Sequence, residues 1–298
     1  MSSDLSQEKP DEIEPKKASR QILWHEILEG RAVLERSVPG LFVSALSAGL
    51  DIGFSLFLMA VMKTRIEGES FSRIVAEMLT ANAYAVGFIF VVLGRSELFT
   101  EQTTLAVLPV LNRKATLAAL ARCWAVVYVA NLIGAAAFAA LAVVIGPMHG
   151  VIEPRIFGEI ALSLTTHSAL ALFLGAVLAG WLMGLMSWLV AAARDTVSQV
   201  VLVGIIATVI GFTNLPHVVV GSVEVLAGVF AKQGVTAADF GHFLLWTTLG
   251  NALGGSVFVA LIKYGHAIQS GPPDQQPDDQ AAKDDKKQPQ AYIPRTLL

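Results

Sequence analysis

The chain has 298 residues, 54% of them hydrophobic and 15% charged, with a formal net charge of −3 and a mean hydropathy of +0.60. Those values exclude an ordinary water-soluble globule, and scattered basic residues leave no electrostatic footprint for nucleic acid. A single cysteine, Cys123 inside an apolar run, excludes an intramolecular disulfide and a cysteine-built zinc site.

Residues 1–20, MSSDLSQEKPDEIEPKKASR, have no apolar core, so no cleavable signal peptide is expected. They and the Pro-, Gln-, Asp- and Lys-rich residues 268–298 read as disordered tails. Between Gln21 and Ser37, Ile22, Leu23, Ile27, Leu28 and Leu34 recur at helical spacing against Glu26, Glu29, Arg31 and Arg36, which predicts a helix lying on the membrane surface or packed on its own protein. No Asp, Glu, Lys or Arg interrupts Cys123 to Ile152, Ile160 to Ala193, Thr196 to Val223 or Phe240 to Ile262. Each run exceeds the roughly 20 residues that a helix needs to cross a bilayer.

Six spans follow. The first runs over about Pro39 to Met62 and holds one acid, Asp51, in a Gly-rich setting. The second begins near Met78 and fails at GRSELFTEQTT, residues 94–104, before LAVLPVL. The third covers about Thr116 to Ile145 and the fourth about Leu164 to Ala193. The fifth, about Ser198 to Phe230, is interrupted at GFTNLPH, residues 211–217, where Pro216 removes a donor. The sixth covers about Phe240 to Tyr264. An even number of spans puts both tails on one face, which holds Arg20, Arg31, Arg36, Arg113, Lys114, Arg122, Arg194 and Lys263 against Lys63, Arg65, Arg73, Arg155 and Lys232 on the other. That bias favours cytoplasmic termini, and the membrane expected is a bacterial inner membrane.

The two halves repeat one pattern of whole, broken and whole helix. Gly94-Arg95-Ser96-Glu97 reads like Gly221-Ser222-Val223-Glu224, and Asn131 with Gly134 reads like Asn251 with Gly254. Halves with an odd number of spans make this an inverted duplication, with repeats over about 39–146 and 160–265 of a membrane domain spanning 38–267. Unpaired backbone at membrane depth survives only where protein or a water-filled cavity satisfies it, so the breaks line a pathway. Half-helices beginning near Thr103 and Val218 present N–H groups and partial positive charge to the midplane, which attracts an anion.

At the two breaks the chain resembles the formate/nitrite transporter family: GRSELFTEQTTLAVLPVLNRKATLAALARCWAVVYVANLIGA looks like its second-helix break and third helix, and GFTNLPHVVVGSVEVL like its fifth-helix break. The resemblance implies an all-α, aquaporin-like integral membrane protein, assembled as a homopentamer, with a pore for small monovalent anions in each protomer. It also implies that Leu98, Phe99 and Thr100 form the loop at the cytoplasmic constriction, and that a histidine occupies the centre of the pore. Counting back from Val218 to Glu224 puts that histidine at His217, whereas counting forward from Gly211 and Phe212 puts Asn214 there. His217 is preferred because imidazole can donate a proton near neutral pH. Formate-type members carry a vestibule Lys. None lies between Lys114 and Lys232, and His167 falls in that neighbourhood.

His217 could instead be a helix cap beside Pro216, and Thr100 could equally be an N-cap. Glu97, Glu101 and Glu224 read first as acceptors for the amides of the broken helices and next as proton relays. Asp51 reads equally as a functional acid or a structural one. No nucleotide, hydrolase or metalloprotease motif occurs, so neither an enzyme nor a metal or other cofactor is expected. The function expected is passage of small weak-acid anions. A pore for neutral solutes and a non-conducting membrane scaffold or sensor stand as alternatives.

Overall fold

The computed structural model of the protein describes residues 17–269, and the expected tails lie mostly outside the described residues. Every regular element among the described residues is helical. Helix α1 (Ser19–Glu35) leads into α2 (Val38–Asp51) and α3 (Gly53–Ile66), which form one rod bent at Ile52. Then come α4 (Arg73–Leu93), the short α5 (Phe99–Leu105) and α6 (Val107–Leu111), and the long α7 (Leu117–Met148). The second half holds α8 (Pro154–Thr165), α9 (Ala169–Ala192), α10 (Thr196–Phe212), α11 (Val218–Phe230) and α12 (Ala237–Leu253), which continues through a π-helical stretch (Gly254–Leu261) into α13 (Ile262–Gln269).

Five of these rods are long and apolar enough to cross a membrane: Val38–Ile66, Arg73–Leu93, Leu117–Met148, Ala169–Ala192 and Ala237–Gln269. Helices α10 and α11 are each shorter. Side-chain caps start many of the helices: Ser37, Thr116, Ser168, Asp195 and Thr236 each accept a hydrogen bond from the backbone N–H three residues on. The Ser168 cap explains one difference from the sequence reading. The apolar run from Ile160 is divided into the amphipathic α8 and a separate span that starts at Ala169.

The repeat is visible in the packing, because α2 lies along α7 as α9 lies along α12. Both contacts need a glycine: a Cβ on Gly49 would collide with the Asn131 carbonyl oxygen, and one on Gly180 with that of Asn251. The backbone repeats as well. Arg95 (φ 55°) and Asn214 (φ 50°) are left-handed residues in the two breaks, and Arg113 (φ 57°) and Lys232 (φ 56°) are left-handed after the two short helices. This register corrects one sequence match. Gly221 to Glu224 lie inside α11, and the counterpart of Gly94 to Glu97 is Thr213 to Pro216.

Helix α1 lies across one end of the bundle. Lys17 Nζ caps the end of α9 by donating to the Ala191 carbonyl at 2.7 Å. Gly30 meets the Leu105 backbone, and Arg122 donates to the Leu34 carbonyl. The acid Glu26 is carried into this contact and buried, where its carboxyl oxygens accept from Ser187 Oγ at 2.9 and 3.1 Å. Burial pushes Glu26 up to about 8.

Candidate functional site

Winding stops at Leu93 and resumes at Phe99, and it stops at Phe212 and resumes at Val218. One asparagine holds each gap. Asn131 Oδ1 accepts from the Phe99 N–H at 2.8 Å, while its Nδ2 donates to the carbonyls of Ala45 (2.7 Å) and Glu97 (2.9 Å). Asn251 repeats this with the Val218 N–H (2.8 Å) and the carbonyls of Ala176 (2.7 Å) and Pro216 (3.1 Å). Each amide therefore gives one acceptor and one donor to backbone at the break and ties it to a neighbouring helix, α2 or α9, with the other donor, which is how a broken rod avoids orphaned polar groups. Glu97, Glu101 and Glu224, expected to take this role, accept from no backbone N–H of the broken helices among the described residues.

The first half-helix starts at Phe99, one turn before the expected Thr103, and its first turn faces that of α11. Thr100 Oγ1 lies 2.8 Å from His217 Nε2, and both side chains are buried. His217 is also the N-cap of α11, its Nδ1 accepting from the Val220 N–H at 3.3 Å. That bond makes Nδ1 an acceptor, so the ring proton sits on Nε2 and points at Thr100 Oγ1, leaving the threonine hydroxyl hydrogen free to donate elsewhere. The Phe88 ring stands edge-on to the imidazole, with centroids 5.2 Å apart. Among the described residues the Thr100 and Val219 N–H groups, at equivalent places in the two first turns, have no acceptor.

Two cavities lie in the neighbourhood of this pair, one lined by Leu98 and Glu101 beside Thr100 and the other by Tyr84 and Glu224. The one under α1, about 340 Å³, is lined by Glu26, Arg36, Arg95, Glu97, Leu98 and Glu101 among others. The other, about 420 Å³, is lined by Lys63, Tyr84, Phe212, Asn214 and Glu224 among others. Leu98 is buried at the bottom of the first cavity. Phe99 faces away from both and packs edge-on against Trp124 and Tyr128, with centroids 5.8 and 4.9 Å away. Asn214 is exposed, and its Nδ2 donates to the Ser163 carbonyl. It shares the second cavity with Phe212 and does not meet Thr100.

His167 is exposed in the turn before α9 and lines neither cavity. The lysine that does line the second cavity is Lys63, at the end of α3. Asp51 also lies away from both cavities, accepting from Ser47 Oγ (3.0 Å) and from Ser96 Oγ in the first break (3.4 Å). Glu97 pairs with Arg36 at 2.7 Å and accepts from Gln102 Nε2 at 2.5 Å. Arg36 and Lys63 were missed as site residues because nothing near them in the sequence marks a break; folding alone brings them there.

The formate/nitrite transporter family profile matches residues 21–265, nearly all of the described chain. The chain belongs to that family. It is thus a membrane channel or transporter for formate- or nitrite-like anions and not an enzyme. Among its relatives is "Inner membrane protein YfdC" of Escherichia coli (strain K12), 32% identical over 250 residues that cover 83% of this chain and 78% of the relative. Two solved structures share the fold. One, "FNT family ion channel", has a TM-score of 0.72 at 23% identity and covers 84% of this chain and 99% of that one. The other, "Pentameric formate channel with formate bound", has a TM-score of 0.64 at 23% identity and covers 78% and 98%.

Proposed function

We propose that each protomer conducts a small monovalent weak-acid anion such as formate or nitrite between the two cavities, past Thr100 and His217, and that the anion crosses the apolar passage as its neutral acid. Five protomers assemble in a bacterial inner membrane, each with six spans of which the second and fifth are broken, and with both termini in the cytoplasm. The pentameric formate channel of the same fold supports the assembly, the YfdC relative supports the membrane, and the excess of Arg and Lys on the α1 side supports the orientation.

The observation that carries this reading is the buried contact between Thr100 and His217 at the tips of two helices. The positive ends of α5 and α11 converge there, and the Thr100 and Val219 amides have no acceptor among the described residues. A negative charge is stabilised at such a spot without a fixed cation. The Thr100 hydroxyl, held by the imidazole, donates to the cargo. His217 retains its single proton on Nε2, so it orients and polarises, and the proton that neutralises the anion does not come from the imidazole.

The test is an anion panel in proteoliposomes at pH 5.5 and 7.5. Formate or nitrite flux is expected to rise at the lower pH and to fall about tenfold or more in His217→Ala. Flux unchanged in the variant removes His217 from the mechanism, and wild-type flux indifferent to pH favours a pore for neutral solutes.

A further inference from the structure

The cavity remote from α1 holds a carboxyl group that the pathway above does not use. Glu224 is 5% exposed, yet it lines that cavity. Among the described residues its carboxylate takes part in no hydrogen bond or ion pair, in contrast to the buried Glu26 and Glu97, each tied to a named partner. The other carboxylates of the cavity are neutralised at its rim. Arg155 pairs with Glu67 and, at 2.7 Å, with Glu159, and Arg73 pairs with Glu77 at 2.7 Å. The remaining charge facing Glu224 is Lys63 on α3, whose field reaches it, and the phenol of Tyr84 on α4 lies within the same reach. Helix α10 and the break after it, which holds Asn214, contribute no charge.

The position along α11 matters as much as the chemistry. Seven residues separate Glu224 from His217, so the two lie on one face of the helix, about 10 Å apart along its axis. Beside this stripe, α4 places Tyr84 near Glu224 and Phe88 against His217, and the two rings are in contact with centroids 5.2 Å apart. A carboxyl group thus stands in the second cavity, beside the aromatic rings that lead to the Thr100–His217 pair.

We propose that Glu224 is the proton-exchange group of this cavity. Resting on the weak-acid reading above, it hands its proton to the incoming anion before the anion enters the passage. The O–H bond of the Glu224 carboxyl breaks as an O–H bond forms on a formate or nitrite oxygen. The Glu224 carboxylate then takes a proton from hydronium in the cavity water, so the net exchange is one anion and one hydronium for one neutral acid and one water. Lys63 holds the anion beside the carboxyl and offsets the charge that Glu224 carries between turnovers.

Initial formate uptake by the full chain in proteoliposomes, presented to the Glu224 side between pH 5 and 8, tests this. Glu224→Gln is expected to slow uptake about tenfold or more at pH 7.5, with the gap closing towards pH 5, where water supplies protons directly. Glu224→Asp is expected to restore the wild-type pH profile, and Lys63→Met to raise the half-saturating formate concentration severalfold. A glutamine variant with the wild-type pH profile overturns the proposal, as do glutamine and aspartate variants slowed equally at every pH. If Glu224→Gln does not assemble, the carboxyl infrared band of the wild type decides: loss of a protonated carboxyl on adding formate supports the proposal, and silence overturns it. A wild type that moves neither formate nor nitrite removes this proposal together with the weak-acid reading, whereas a conducting wild type with insensitive variants removes this one alone.

Discussion

His217 performs two tasks with its two nitrogens, and the sequence showed only that one of two residues would stand there. Proton chemistry favoured His217 over Asn214, and the folded chain puts the imidazole on Thr100 and the carboxamide on the Ser163 carbonyl. Thr100 became a candidate through the resemblance, but its partner lies 117 residues away and no local pattern names it. Phe99 was grouped with Thr100 because they are neighbours, although successive side chains leave a helix start in different directions. Thr100→Val keeps the side-chain shape and removes the hydroxyl, leaving the Nε2–H buried without an acceptor. Such a change costs about 1–3 kcal/mol of stability, read by denaturation in detergent, and formate flux is expected to fall about tenfold or more. Wild-type flux in this variant would show that the hydroxyl does not touch the cargo.

At the scale of elements, both breaks were legible from hydropathy and from Pro216, while the start of α5 was not. GRSELFTEQTT is polar but for Leu98 and Phe99 and reads as a break, yet winding resumes at Phe99 and buries Gln102, Thr103 and Thr104 among neighbouring helices. Hydropathy measures contact with lipid and is blind to polar helix enclosed by protein. The π-helical stretch at Gly254–Leu261 was equally hidden. There the Gly255 carbonyl accepts from Thr104 Oγ1 and Ser256 Oγ donates to the Thr103 carbonyl, fitting the last span around α5.

The two asparagines gave the clearest sign of the repeat, but their hydrogen bonds appear only in three dimensions. Asn131→Ala and Asn251→Ala each strand one buried N–H and the carbonyl of the break, Glu97 or Pro216. Each is expected to cost about 3 kcal/mol, seen as a lower denaturation midpoint in detergent. A midpoint unchanged in both would mean that water replaces the amides.

Helix α1 responds to pH through Glu26. Its folded value near 8 lies above its ordinary 4.5, so docking is strongest below about pH 4.5. It weakens as pH rises from there to about 8, because an undocked α1 releases a proton that the docked one retains. Hydrogen exchange in α1 is expected to accelerate between pH 6 and 8.5, beyond the intrinsic rise, in the wild type and not in Glu26→Gln. Equal behaviour in the two would place the docking energy elsewhere.

For the whole molecule, composition and uninterrupted apolar runs were enough to place the chain in a bilayer, and recurring short strings were enough to expose a repeat. The register of that repeat was misjudged by matching short strings, since Gly-x-x-Glu recurs by chance, whereas the left-handed residues Arg95 and Asn214 mark true equivalents. Thr100 and His217 form one buried contact between the tips of two helices, and the whole account rests on the cargo passing it without charge. Counting protons that enter proteoliposomes with labelled formate, at clamped membrane voltage, tests this most directly. One proton with each formate and no net current is the expected result, and formate entry that carries current with no matching acidification would contradict it.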